Sequence, residues 1–216
     1  MNQVDRNSFL AWPGWPQLRF AWLQTALLTA WFGVVYSGAD WLTARRLTRV
    51  RVHLNLELQI PLVPAFTVFY MSVYLLFLAV PFVLRTRREI STLAITQGIV
   101  ILMAGIGFLL FPAELAYAPP TDLGMWEGLF RFADRLNLDY NLVPSLHVAL
   151  SVVCLESFAA RLASAGKTLL RGWGLLIAAS TLFTHQHHLI DAVTGYLLAF
   201  AAVSRTRLVE ARCRAA

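Results

Sequence analysis

The sequence predicts an all-α fold: one polytopic membrane helical bundle of about six transmembrane helices, with residues 1–216 forming a single domain. Three observations predict it. The chain is 58% hydrophobic and only 14% charged, where a soluble domain carries about a quarter charged residues. Its apolar residues run in blocks close to the roughly 20 residues a bilayer requires. The alternation of polar and apolar faces that a soluble fold would need is missing.

Six spans follow from those blocks, over about 20–36, 60–84, 91–111, 143–160, 169–183 and 189–203. Ahead of the first, Trp12 and Trp15 alternate with Pro13 and Pro16, which suits an interfacial segment. The opening residues are polar and Pro-interrupted rather than a basic stub before an apolar run, so the first span is expected to act as the insertion signal. In the second span, Pro61 and Pro64 fall in the opening turn, where a missing N–H costs little. The fifth span is short of apolar residues, and Arg171 at its start is expected to snorkel toward the headgroups. Between the third and fourth, residues 121–136 have helical periodicity, with Leu123, Trp126, Leu129 and Phe130 on one face; they predict a short helix on the membrane or over a site entrance. Cys154 and Cys213 are expected at different depths, so no disulfide joins them.

The formal charge of +6 comes from 17 arginines and one lysine, Lys167, against 12 acidic residues. In a membrane protein such residues report topology first. With both termini cytoplasmic, 12 basic residues fall on the inner side: Arg6, Arg19, Arg85, Arg87, Arg88, Arg161, Lys167, Arg171, Arg205, Arg207, Arg212 and Arg214. Six fall outside: Arg45, Arg46, Arg49, Arg51, Arg131 and Arg135. That bias faces residues 38–59, 113–142 and 184–188 outward. No water-facing surface interleaves basic and aromatic residues, which excludes nucleic acid as a partner. The four arginines between 45 and 51 suit either contact with anionic headgroups or capture of a substrate phosphate.

Two constellations carry chemistry. In Asn141-Leu-Val-Pro-Ser-Leu-His147, Pro144 suits the first position of a helix, and the N–H groups of that first turn would seat a phosphate. Ser145 adds a hydroxyl donor and His147 lies in the same turn. In Ser180-Thr-Leu-Phe-Thr-His-Gln-His-His-Leu-Ile-Asp191, His187 and Asp191 are four positions apart, one turn on a shared helix face. A carboxylate bonded to one imidazole nitrogen fixes the tautomer and frees the other nitrogen to attack. Either constellation alone also fits a hydrogen-bonded structural role. Together they sit at the outward ends of their helices and form a coherent set for phosphoryl transfer.

These motifs resemble the type 2 phosphatidic acid phosphatase superfamily of membrane enzymes. Pro144–His147 matches its Pro-Ser-x-His motif. Ser180, His187 and Asp191 match the spacing of its last motif, with Thr181 where Arg is usual, and its first motif, which ends in Arg-Pro, is absent. The Ser-Thr variant of the last motif is similar to the inositol phosphorylceramide synthase-like branch. The resemblance implies a lipid phosphate phosphatase, metal-independent and without cofactor, acting on a phosphatidic acid-like or isoprenoid phosphate. The alternative it implies is a headgroup phosphotransferase. His187 would be the nucleophile, Asp191 its orienting partner and His147 the acid and base. Ser145, Ser180, Thr181, Arg49 and Arg51 would bind phosphate, the outer arginines replacing the missing basic clamp. Two other readings compete: a metal site built from His185, His187, His188 and Asp191, and a transporter, which would place polar residues nearer the mid-membrane. His185 and His188 are otherwise expected only to cap the last turn, with His53 remote from it.

Overall fold

The computed structural model describes residues 9–215, and the side chains of all of these except 210 and 212–215. Arg6 and the side chains of Arg212, Cys213 and Arg214 therefore lie outside the described residues. Those described form helices and no strand. The α-helices are α1 (Trp15–Ala44), α2 (Thr67–Val83), α3 (Arg87–Leu110), α4 (Glu127–Arg135), α5 (Leu146–Ala159), α6 (Ser164–Phe183) and α7 (Leu189–Ala215). Short 3₁₀ turns lie at Glu57–Gln59, Pro64–Phe66 and Gly124–Trp126.

Four helical segments are long and apolar enough to cross a membrane: Trp15–Ala44, Pro64–Val83, Arg87–Leu110 and Leu189–Val209. Their outer faces carry exposed Leu23, Leu27, Leu75, Leu78, Ile95, Ile99, Leu197 and Phe200, as expected where lipid is the solvent. The other two expected spans differ in kind. α5 has 14 residues and 11 of them are buried. It is apolar all round because protein surrounds it, on α3, α6 and α7 and along α2. α6 has the length, but Lys167, Arg171 and three glycines dilute its apolarity. α1 is longer than its apolar run because an apolar window marks the bilayer slab and not the helix end.

Local signals start and stop these elements. Pro16 sits in the first turn of α1. α3 opens with a capping box, in which Thr86 Oγ1 accepts from Glu89 N–H and Glu89 accepts from Thr86 N–H. The segment 121–136 is a 3₁₀ turn followed by α4, with Leu123 and Phe130 buried and Trp126 and Leu129 partly so.

Three loops gather at one end of the bundle. Val50 N–H donates to Pro112 carbonyl, Val63 N–H to Phe183 carbonyl, and Ala116 N–H to His188 Nε2. The opposite end is tied by ion pairs: Glu156 holds Arg171 and Arg207, and Glu89 holds Arg161 at 3.0 Å. The six outer arginines lie on the first end, and all other described basic residues are on helices or loops of the second.

Candidate active site

The turn between α6 and α7 is built from the carbonyls that end α6. Thr181 carbonyl accepts from both Gln186 N–H (2.9 Å) and His187 N–H (3.1 Å), folding the chain back on itself. His185 has φ of 55°, a left-handed conformation unusual for a side chain with a Cβ. Its ring is clamped by stacking on Tyr117 (4.0 Å, 8°) and by a 2.9 Å contact with Ile60 carbonyl. α7 then begins, with Asp191 in its first turn. Asp191 Oδ2 accepts from His188 N–H at 2.8 Å and lies 3.3 Å from His187 Nδ1. Asp191 is fully buried, while His187 keeps a small exposed edge.

α5 is docked onto this turn by its own first residues. Ser145 caps the helix, its Oγ accepting from Val148 N–H at 3.3 Å. The helix proper starts at Leu146, so Pro144 lies just before the cap rather than at the first helical position. Ser145 N–H donates to Asp191 carbonyl at 2.9 Å. Gly195, one turn beyond Asp191, makes the approach possible, since a Cβ there would lie 2.4 Å from Ser145 carbonyl oxygen. His147 and His187 thereby line one cavity of about 820 Å³. His147 stacks on Tyr70 (3.8 Å, 12°), and its Nε2 lies 2.7 Å from Tyr70 carbonyl. A carbonyl only accepts, so Nε2 carries hydrogen and Nδ1 is the basic nitrogen of the neutral ring.

A model of the PAP2 superfamily matches residues 45–204, from the end of α1 into α7 and across both histidine constellations. The chain belongs to the PAP2 superfamily. No curated protein and no solved structure matches it significantly. The membership supports phosphoryl transfer of the phosphatase type.

Within this PAP2 chain the expected phosphate ligands stand in different settings. Ser145 is fully buried at the α5 cap, its N–H bonded to Asp191 carbonyl, and does not line the cavity of the two histidines. Ser180 Oγ donates to Ile177 carbonyl (2.7 Å) and Thr181 Oγ1 to Ala178 carbonyl (2.8 Å), so both hydroxyl protons are spent inside α6. Arg49 donates to Thr43 and Arg46 carbonyls, pairs with Glu114 at 3.8 Å and stacks over Tyr140. Tyr140 precedes Asn141, which lines the cavity; Arg49 itself does not line it. Arg51 bonds His53 carbonyl and Asn55 Oδ1 within its own loop. Among the described residues, no group of three or more His, Cys, Asp or Glu converges as a metal site requires.

Sequence reasoning missed a buried support around the turn. Glu57, from the loop between α1 and α2, accepts from Leu54 N–H (2.7 Å) and from Leu189 N–H (2.8 Å), capping α7 from 132 residues away. Its Oε1 lies 3.3 Å from His188 Nδ1. His188 Nε2 accepts from Ala116 N–H, so the Nδ1 proton faces Glu57. Burial holds the His188 pKa below its ordinary value, against the opposing pull of Asp191 and Glu57. Burial, with the nearby Glu57 and Asp191 carboxylates, pushes the Tyr117 phenol up to about 12; it donates to Glu57 carbonyl and stacks on His188. His188 is thus a bracket and not merely a turn residue, and His53, expected to be remote, lies 5.2 Å from it. A second chain runs from Tyr70 hydroxyl to Asn137, Gln186 and Asp134. No spacing in the sequence signals either network, because each joins residues from segments far apart in the chain.

Proposed function

We propose that this chain is an integral membrane enzyme that hydrolyses lipid phosphates, phosphatidic acid-like or isoprenoid, through a phosphohistidine on His187. The observation that carries the reading is the docking of the α5 cap on the first turn of α7, through Ser145 N–H and Asp191 carbonyl. It accompanies His147 and His187 on the wall of one cavity, with Asp191 buried behind His187. With Nδ1–H directed at Asp191, His187 Nε2 holds the lone pair that attacks phosphorus. Its 3.3 Å contact is long for a charge-assisted bond, and such contacts commonly tighten in the bound complex.

In the first step a bond forms from His187 Nε2 to phosphorus and the ester P–O bond breaks. The departing alkoxide takes a proton from Nδ1 of His147 imidazolium. In the second, water attacks phosphorus, loses its proton to His147, and the P–N bond breaks to release phosphate. The start of α5 would offer donors to the phosphoryl oxygens, Ser145 through its hydroxyl proton, and Arg49 would supply the compensating cation from its loop. The charge bias supports an active site on the outer face with both termini cytoplasmic. No metal or cofactor is required by this route.

One observation favours a second reading, transfer to an alcohol as in the inositol phosphorylceramide synthase type. Asn141 Nδ2 is fixed on Tyr36 carbonyl at 2.7 Å, and its buried Oδ1, on the cavity wall, has no partner. An acceptor there suits the hydroxyl of an incoming alcohol better than an anionic oxygen.

The test is rapid quenching with phosphorus-labelled phosphatidate, with and without chelator. Labelled protein that is acid-labile, base-stable, chelator-insensitive and absent from His187→Ala is expected. Turnover without label, or label surviving in His187→Ala, refutes the route. Adding diacylglycerol or ceramide then separates transfer from hydrolysis.

A further inference from the structure

The cavity that His147 and His187 share does not end beneath them. Its wall follows α1 from Tyr36 down to Leu18, 18 residues of helix and therefore about 27 Å. That is close to the roughly 30 Å of a bilayer's hydrocarbon core. Val73 to Phe82 of α2 and Ile90 to Ile101 of α3 line the same groove. α1 packs along α3 and scarcely touches α2, which leaves a seam between α1 and α2 over this length. A groove of this shape, apolar and continuous with the reacting histidines, fits a hydrocarbon chain lying inside the bundle.

Gln24, Thr25 and Thr29 of α1 and Gln97 of α3 bring polar side chains to its wall, and of these four only Gln97 is buried. Gln97, on the groove wall, is 3% exposed, and its Nε2 is buried with no hydrogen-bond partner. A buried amide N–H left unpaired is costly, so it marks a place for an acceptor. Its depth can be worked out. Gly107 of α3 packs against Pro144. Gln97 lies ten residues below Gly107, while His147 lies three below Pro144, so Gln97 sits about 10 Å deeper than His147. In an acyl glycerol phosphate, about six bonds separate phosphorus from the ester carbonyl carbon, or roughly 8 Å when each ~1.5 Å bond advances about 1.3 Å. The carbonyl therefore reaches the level of the Gln97 side chain.

We propose that the groove takes one chain of an acyl lipid phosphate and that the Gln97 amide donates to the carbonyl linking chain to headgroup. This rests on the phosphoryl-transfer reading for the phosphate end, and it selects acyl over isoprenoid substrates, which have no carbonyl. Leaving bilayer for groove gains little hydrophobic energy, because lipid tails already surround the chain. Discrimination therefore comes from the carbonyl bond and from the groove's length.

The experiment uses full-length protein carrying His187→Ala, in nanodiscs, with a phosphatidate bearing a photoreactive group at mid-chain. Crosslinks are expected on groove-lining residues such as Leu18, Leu28, Phe32, Phe77, Leu93 and Ile101. Crosslinks confined to outward residues such as Leu23, Leu75 or Leu197, or none, overturn the groove. Competition against the probe is expected to need about five- to tenfold less ester-linked than ether-linked phosphatidate, the size of one buried neutral hydrogen bond. Gln97→Leu is expected to bring the two to parity. Equal competition by the two lipids before that substitution removes Gln97 from the proposal. Because the readout needs no turnover, it is independent of the phosphohistidine test: a filled groove without phosphohistidine sinks the catalytic reading alone, and the converse sinks only the groove.

Discussion

Replacing Glu57 by Ala should do more harm than any other single change outside the histidines. Glu57 is 4% exposed and receives two backbone N–H groups, at 2.7 and 2.8 Å, besides facing His188 Nδ1 at 3.3 Å. Hydrogen bonds to a charged group contribute about 1.5–3 kcal/mol each. Each backbone N–H left buried without its partner costs about 1–3 kcal/mol, so the two together cost about 2–6 kcal/mol. The two routes agree on roughly 3–5 kcal/mol. For a chain of this size that lowers the melting temperature by roughly 10 °C. The assay is thermal denaturation in nanodiscs followed by circular dichroism, with Glu127→Ala as control, since Glu127 is exposed and its 3.9 Å pair with Arg131 is on the surface. Glu57→Gln, which keeps an acceptor for one N–H, should fall between. A Glu57→Ala protein melting within a degree of the parent would refute the claim that this outer loop caps α7.

Three further outcomes follow from the same geometry. Asp191→Asn should lower kcat by about 10²–10⁴-fold while preserving the fold, because an amide can present N–H to His187 and select the wrong tautomer; unchanged kcat would count against Asp191 as the orienting group. His147→Ala should slow turnover by about 10²–10⁴-fold with an alkoxide leaving group and far less with p-nitrophenolate, which needs no proton; equal losses on both would remove His147 as the acid. Gly195→Ala would set a Cβ 2.4 Å from Ser145 carbonyl oxygen, an overpacking expected to cost about 1–3 kcal/mol and to separate His147 from His187; full activity and an unchanged melting temperature would show the docking to be tolerant.

Much of this protein was legible in one dimension. Apolar blocks announced a membrane bundle because a lipid solvent demands them over a fixed length. The four-residue spacing predicts His187 and Asp191 one turn apart on a shared helix face. They do meet, but His187 lies in the turn before α7, so the fold of that turn and not helical spacing brings its ring to Asp191. Ser145 and His147 were readable as parts of one helix start. The apolar run of α5 looked like a span, yet burial on nearly all sides gives it 14 residues in the middle of the bundle, and composition does not distinguish protein from lipid as the surrounding apolar medium.

What the tertiary structure alone decided lies between elements. Gly195 against Ser145 is a contact across 50 residues of sequence, and it is what joins the two motifs. Glu57 and Tyr117 reach the histidine turn from separate loops. Thr181, expected to replace a phosphate-binding arginine, turns its hydroxyl to the helix and lends its carbonyl to the turn. Local spacing fixes which side chains share a helix face. Which faces meet depends on close approaches and buried hydrogen bonds between distant segments, and no local pattern encodes those.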